Sequence, residues 1–407
     1  MADVADADRL RVFLIACSDL SCCLARPCAS LVPSISSLGR PVEHVQHLSG
    51  ATTAMAANAK QIIYFHSRLD ATATAIRAKR SDIDMARHFF AAPAAETWAA
   101  MGRAHGYHAC ARTEMRAPWF PDAELFARAP NLLAVCSLGA GYDVIDVEAC
   151  TKAGILVCNQ SGANREAVAE HAVGLMLAIS KKIMEADRSI RKESAIDRFR
   201  YLGTELLGKT LGIIGLGNIG SRVAEICKTA FRMTVLGYDP YLSKEQMAAR
   251  HAEKVELGDM LQRADYVSMH CPRSQETFGM IGYEQLSLMR PTAYFINTSR
   301  GGTYKERDLV RALQERKIAG AGIDVFLEEP PPTDHPLMAF DNVILTPHNA
   351  GSTREAHANV AIYASEQWID IFDGKVPPRL VNKAVWPKYC ERFRNILGFE
   401  PEPLREG

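Results

Sequence analysis

A single histidine closes an apolar run in DNVILTPHNAGST, residues 341–353. Val343, Ile344 and Leu345 read as a buried strand, Pro347 stops it, and His348 follows just before Ala350 and Gly351. An imidazole held at the mouth of a strand can act as a general acid or base near neutral pH. Taken alone, it is equally readable as an idle loop histidine. A second stretch with chemical potential is TLGIIGLGNIG, where an apolar strand runs into Gly215, Gly217 and Gly220 and the helix SRVAEICKTAF follows. That order fits a dinucleotide-binding turn: the first glycine makes the tight turn, the second lets backbone approach a pyrophosphate, and the third lets helix and strand pack. The helix N-terminus adds free N–H groups and a partial positive charge for the phosphates. The next strand, TVLGYDP, ends in Asp239, about where an acidic residue is needed to hold ribose hydroxyls. Its carboxylate repels a 2′-phosphate, and Pro240 and Tyr241 bring no charge to offset it, so NAD is expected over NADP.

These residues need elements to position them, and the chain alternates accordingly. YVSMHCP, TAYFINTSRGG, IAGAGIDVF and NVILTPH read as strands, with helical stretches such as KERDLVRALQERK between them. Continuous apolar strands separated by helices argue for a parallel sheet covered on both faces. Ligands bind at the carboxyl ends of such strands, which lines Arg300, Asp324 and His348 along one rim. Two longer patterns, REAVAEHAVGLMLAISKKI and STREAHANVAIYASEQWIDIF, read as long helices, the second with a capping box from Ser352 and Glu355. The first convincing strand is QIIYFHS, 61–67. Residues 1–59 are expected to be a disordered extension, with either Met55 as the natural start or a genuine flexible tail. The acidic opening MADVADAD and the short apolar run before Cys17 do not fit a signal peptide.

Composition narrows the function classes. The chain has 407 residues, room for two or three domains, and Lys plus Arg balance Asp plus Glu at 47 each. No basic surface for nucleic acid and no membrane span is expected. The 11 cysteines are scattered without paired CxxC units, which argues against a zinc site and for reduced thiols in the cytoplasm.

Taken together, GLGNIG, INTSRGG, GIDVFLEEPPP and NVILTPHNAG resemble the D-isomer-specific 2-hydroxyacid dehydrogenases, and the likeness extends upstream through LGAGYDVIDVEACTKAGILVCNQ and AVAEHAVGLMLA. It covers roughly residues 60 to 390. The resemblance implies an α/β protein with a Rossmann-type NAD-binding domain (161–349) inserted in a flavodoxin-like substrate domain (60–160 plus 350–395). It implies a catalytic trio: His348 as proton donor to the carbonyl oxygen of a 2-keto acid, Glu329 rather than Glu328 as its partner, and Arg300 gripping the substrate carboxylate. It puts the backbone N–H groups of Ala140 and Gly141, and Arg112 in the irregular loop CARTEMRAPWF, on the substrate side. Asp324 would bind the nicotinamide carboxamide, while Pro272, Thr298, Thr277, Ser299, Asn218, Ile219 and Gly351 would complete the cofactor pocket. His171 is expected to pack in the hinge helix and His270 to end a strand near the cofactor, with Met280, Met289 and Trp386 in the core. Glutamate at 329, where formate dehydrogenase carries glutamine, argues against formate. A homodimer is implied, built around residues 165–205. Two alternatives remain: a 3-phosphoglycerate dehydrogenase, which needs a second cationic group such as Arg112, Arg116 or Arg165, and a non-enzymatic NAD-sensing protein like the co-repressors of this family.

Overall fold

The structure, a computed structural model, describes residues 59–404; the expectations for the N-terminal extension and the Met55 start lie outside the described residues, Ala59 and its neighbour Asn58 marking the border. Two parallel sheets organise the rest. The first contains β1 (Lys60–Tyr64), β2 (Ile83–Arg87), β3 (Gly106–Ala109), β4 (Ala134–Ser137) and β5 (Leu156–Cys158), in the order β2-β1-β3-β4-β5. The second contains β6 (Thr210–Ile214), β7 (Thr234–Tyr238), β8 (Glu253–Lys254), β9 (Tyr266–Met269), β10 (Tyr294–Asn297), β11 (Gly320–Ile323) and β12 (Val343–Leu345), in the order β12-β11-β10-β9-β6-β7-β8. The first order is the flavodoxin-like one, and the second is the Rossmann order with one strand added beyond the sixth. The expected α/β architecture is therefore present.

The strands form because they are apolar on both faces. Every residue of β4, β9 and β11 is buried, as parallel strands sandwiched between helices must be. After β5 the chain runs through the helix Arg165–Ser180 into the second sheet, and the helix Arg354–Phe372 brings it back. Trp368, Ile371 and Phe372 of that helix, with Tyr389 and Phe393 of the helix Trp386–Leu397, complete the core over Ile62 and Tyr64 of the first sheet and Leu69 just beyond β1. Met289 and Trp386 are buried and Met280 packs at the edge of the core, as expected. The capping expectation needs correction. Thr353, not Ser352, caps the returning helix: its Oγ1 accepts from Ala356 N at 3.0 Å. Ser352 instead closes a turn by donating its N–H to Asn349 O, and with alanine three residues beyond the true cap no capping box forms. The first long helix also stops at Ser180, and Lys182, at φ 52°, turns the chain into a second helix, Ile183–Ile190. Among the described residues no helix is long and apolar enough to cross a membrane.

One polar chain runs through the first sheet's core. Trp368 Nε1 donates to His108 Nδ1 at 3.0 Å, so the ring's hydrogen lies on Nε2, which donates to Ser137 O at 3.1 Å. Burial drives the His108 pKa from 6.5 down to about 4, against the opposing pull of the Ser137 carbonyl. The unfolded chain takes up this proton as pH falls through 6.5, the native chain only near 4. Stability from this group is thus full above pH 6.5 and drains away towards pH 4, by on the order of 3 kcal/mol at most. Urea unfolding at pH 7 and pH 4.5 should show that loss, and the His108→Gln variant should show a smaller one; an equal loss in both would remove His108 from the account.

Candidate active site

The carboxyl ends of the second sheet's strands carry the candidate residues, beginning at the point where the strand order reverses between β6 and β9. Gly215, at φ 89°, turns the chain immediately after β6, where a Cβ would sit 2.8 Å from Cys271 N. A Cβ at Gly217 would meet only open space, whereas one at Gly220 would overlap the carbonyl of Gly215. Gly215 therefore makes the turn, Gly217 leaves backbone accessible and Gly220 lets the helix Asn218–Phe231 approach the strand. Asp239 stands at the end of β7, and its carboxylate accepts from Leu216 N (3.1 Å) and Tyr241 N (3.1 Å), tying it to the glycine turn. Asn218 reaches out of the turn to donate to Ser161 Oγ at 3.0 Å, and Ile219 packs against the core.

After β9 come Cys271 and Pro272, whose carbonyl accepts from Thr277 Oγ1 at 2.6 Å. Next to it, Asn297 at the end of β10 fixes the following turn by accepting from both Ser299 N and Ser299 Oγ. Thr298 Oγ1 and His270 Nδ1 are buried without a hydrogen-bond partner among the described residues. Buried polar atoms are almost always satisfied, and these two stand just past the carboxyl ends of β9 and β10, where the polar atoms of a bound dinucleotide would meet them. His270 directly follows β9, at the strand end expected of it; its Nε2 meets Ser268 Oγ at 2.8 Å, and burial pushes its pKa down to about 3.

Arg300 closes the β10 turn. Its Nη1 donates to Ser299 O at 2.7 Å and its Nε to Asp143 Oδ1 at 3.3 Å. The guanidinium lies so close to Gly141 that any side chain there would overlap it. The backbone N–H groups of Ala140 and Gly141 donate to no group among the described residues, leaving two donors next to a guanidinium. Arg112 is at the same loop, donating to the Asp143 carbonyl at 3.1 Å. Arg165, a candidate for a phosphate, is taken by a surface pair with Glu166.

His348 sits beyond β12, with Glu329 arriving from the loop after β11. Its Nδ1 meets Glu329 Oε2 at 2.7 Å, while Glu329 Oε1 accepts from Phe326 N at 3.0 Å. Burial raises the Glu329 pKa, but the bond and charge of His348, the Phe326 N–H and Arg300 outweigh it and hold the carboxyl below its ordinary range. An ionised Glu329 accepts only, so Nδ1 carries a hydrogen and Nε2 is left to exchange a proton. His348 has φ 53°, uncommon outside glycine and characteristic of constrained functional positions. Asp324 supplies that constraint. Its carbonyl accepts from His348 N at 2.8 Å, and its fully buried carboxylate accepts from Thr346 Oγ1 (2.6 Å), Asn349 N (3.0 Å) and Ala350 N (3.0 Å). The carboxamide-binding expectation for Asp324 thus meets a carboxylate already engaged in holding the His348 loop. Thr346 spends its hydrogen on Asp324, so it accepts from His171 Nε2 at 3.1 Å. His171 is therefore part of this polar network rather than simple helix packing. Gly351 abuts Asn164, at the start of the helix Arg165–Ser180.

Sequence reasoning missed Asp143, Thr346 and Arg273, whose Nη2 stands 4.0 Å from Asp143 Oδ2. Asp143 stood in the quoted motif LGAGYD, and an acidic residue two positions from proposed carboxylate-binding amides is a signal by its charge alone. Among the described residues no three His, Cys, Asp or Glu side chains are grouped to hold a metal.

Comparison with known proteins agrees with this geometry. Residues 173–350 match the family model described as D-isomer specific 2-hydroxyacid dehydrogenase, NAD binding domain. A glyoxylate reductase of Aeropyrum pernix is 43% identical over 270 residues, spanning 65% of this chain and 80% of that one. A D-3-phosphoglycerate dehydrogenase of Archaeoglobus fulgidus is 42% identical over 261 residues, 64% of this chain but 49% of that one. This chain thus spans about half the length of that relative. The crystal structure of D-lactate dehydrogenase from Aquifex aeolicus, complexed with NAD and lactic acid, superposes with a TM-score of 0.67 at 28% identity, covering 79% of this chain and 98% of that one.

Proposed function

The chain belongs to the D-isomer-specific 2-hydroxyacid dehydrogenases, and from that premise we propose that it is an NAD-dependent oxidoreductase interconverting a D-2-hydroxy acid and its 2-keto acid. The observation that carries this reading is the His348–Glu329 pair at 2.7 Å, at the rim where Arg300 and the glycine turn also lie. The glycine turn, Asp239 and the unpartnered Thr298 would hold the dinucleotide, which when bound supplies or removes the hydride. Asp239 disfavours a 2′-phosphate and so favours NAD. Pro272, Thr277, Ser299 and the backbone at Asn218 line the same rim. In the direction of reduction, Arg300 and the Ala140 and Gly141 amides bind the substrate carboxylate and orient the carbonyl. His348 Nε2 delivers a proton to the oxygen that becomes the alcohol, and Glu329 balances the charge on the ring. In oxidation the same nitrogen takes the proton away.

We assign the cofactor to residues 161–349 and the substrate contacts to 60–160 with 350–395. A homodimer is supported by Ile190, Phe199, Leu202 and Leu207, apolar and exposed between the Ile183–Ile190 helix and β6. A cytoplasmic location is in keeping with seven free cysteines among the described residues. A phosphorylated substrate such as that of the phosphoglycerate dehydrogenases is the second reading, favoured by the further guanidiniums of Arg112 and Arg273 at the Asp143 loop.

NADH oxidation measured against a panel of 2-keto acids, phosphohydroxypyruvate included, tests both. Turnover with one class is expected, with kcat/KM at least roughly tenfold higher for NADH than for NADPH, the worth of a modest charge repulsion. Tight NADH binding without turnover of any acid would move the reading to a sensor.

A further inference from the structure

Arg300 is already paired. The carboxylate on it belongs to Asp143, which reaches across from the loop after β4, and Arg300 Nε donates to its Oδ1 at 3.3 Å. That oxygen also lies beside Gly141, 3.2 Å from where a Cβ would be. Asp143 therefore lies beside both the guanidinium and Gly141, against which the guanidinium itself packs, next to the groups that the proposed function gives to the substrate carboxylate. The backbone under it is anchored, because Arg112 Nη1 donates to the Asp143 carbonyl. Its second oxygen, Oδ2, points at another guanidinium: Arg273 Nη2 stands 4.0 Å away. The side chains of Asp143, Arg300 and Arg273 are 36%, 29% and 30% exposed, so water and a small anion can reach all three.

We propose that Asp143 is an internal stand-in for the substrate carboxylate, holding Arg300 until substrate arrives and then passing to Arg273. This rests on the reading of Arg300 as the carboxylate anchor. Before binding, the one carboxylate of Asp143 serves two guanidiniums, Arg300 closely and Arg273 at 4.0 Å; after binding, the substrate takes Arg300, Asp143 closes the gap to Arg273, and each guanidinium has a carboxylate of its own. A guanidinium held in one orientation by a carboxylate is also preorganised for the next carboxylate. The cost is competition, since every substrate molecule has to displace Asp143. Asp143 and Arg273 are thus positioning residues that set apparent affinity, with opposite signs.

The test compares wild type, Asp143→Asn, Arg273→Gln, the double variant and Arg300→Lys, in steady-state turnover of the best 2-keto acid and in binding of oxamate to the NADH complex. Asp143→Asn should lower KM and the oxamate Kd roughly three- to fivefold, the worth of a partly exposed ion pair, with kcat within about twofold. Arg273→Gln should raise both by a similar factor, and its effect should vanish in the Asp143→Asn background. A rise in KM or a fall in kcat in Asp143→Asn would overturn the idea and make Asp143 a prop for Arg300. So would an Arg273 effect that persists without Asp143. If wild type turns over a keto acid but Asp143→Asn matches it throughout, the stand-in fails and the dehydrogenase reading survives. If no acid is turned over and oxamate binding ignores Arg300→Lys, both fall together.

Discussion

Replacing His348 with alanine should lower kcat by roughly 10²- to 10⁴-fold, the usual worth of a positioned general acid, while NADH binding stays within about twofold. The reasoning starts from the backbone. Asp324 O holds His348 N at 2.8 Å and the residue adopts φ 53°, so the ring is delivered by a rigid loop. Glu329 Oε2 then fixes the ring through Nδ1 at 2.7 Å, leaving Nε2 to donate. Alanine removes the donor and keeps the loop, because the Asp324 bonds go to backbone N–H groups of residues 348 to 350 and to Thr346. The glycine turn and Asp239 are separate from that loop, which is why cofactor affinity should survive. Steady-state rates combined with a fluorescence titration of NADH separate the two quantities. A variant that keeps more than a tenth of wild-type kcat would deny His348 the proton, and equal losses of rate and NADH binding would mean that the loop had collapsed.

Arg300→Lys should reduce kcat/KM by about 10²- to 10³-fold despite the retained charge, as expected when a preorganised donor at the reacting group is lost. A guanidinium presents a planar fork, and here each part of it is committed: Nη1 to Ser299 O, Nε to a carboxylate, and Nη2 flat against Gly141. A lysine ammonium is a point charge on a flexible stem and can fill only one of these places. Gly141→Ala is the complementary change. Its Cβ would overlap the guanidinium, so Arg300 must move, and the loss in kcat/KM should follow the same direction with the charge intact. Initial rates at low keto acid concentration measure both. Near-wild-type kcat/KM in both variants would take the substrate carboxylate away from Arg300.

Much of this arrangement was legible in the chain. GLGNIG followed by a helix and a strand ending in Asp239 carried its own geometry, because each glycine answers a local steric demand. The apolar runs before His348 and Arg300 place those residues at strand ends by their pattern alone. The parts that were hidden are contacts between distant segments. Asp143 and Arg300 are 157 positions apart; the charge of Asp143 beside the Ala140 and Gly141 amides was a signal, but it did not say which guanidinium would meet it. His171 and Thr346, 175 positions apart, looked like helix packing and an ordinary strand end until a hydroxyl was found between an imidazole and a buried carboxylate. The helix cap was misplaced by one residue because Ser352 and Thr353 are both capable caps. The backbone decides between them: Ser352 N–H closes the turn on Asn349 O, and Thr353 stands at the first helical turn, where its Oγ1 meets Ala356 N.

The bond from Trp368 to His108 spans 260 positions. During synthesis at roughly 5–20 residues per second, β3 leaves the ribosome on the order of tens of seconds before the indole that covers it. The strands of the first sheet come out first, yet Ile62, Tyr64 and Leu69 share a core with Trp368, Ile371 and Phe372, so that sheet must wait with an apolar face uncovered. The second sheet, whose strands run without interruption from Thr210 to Leu345, can assemble in the meantime. The nascent chain is therefore expected to mature from its middle outwards, and its early strands are the segment most in need of a chaperone.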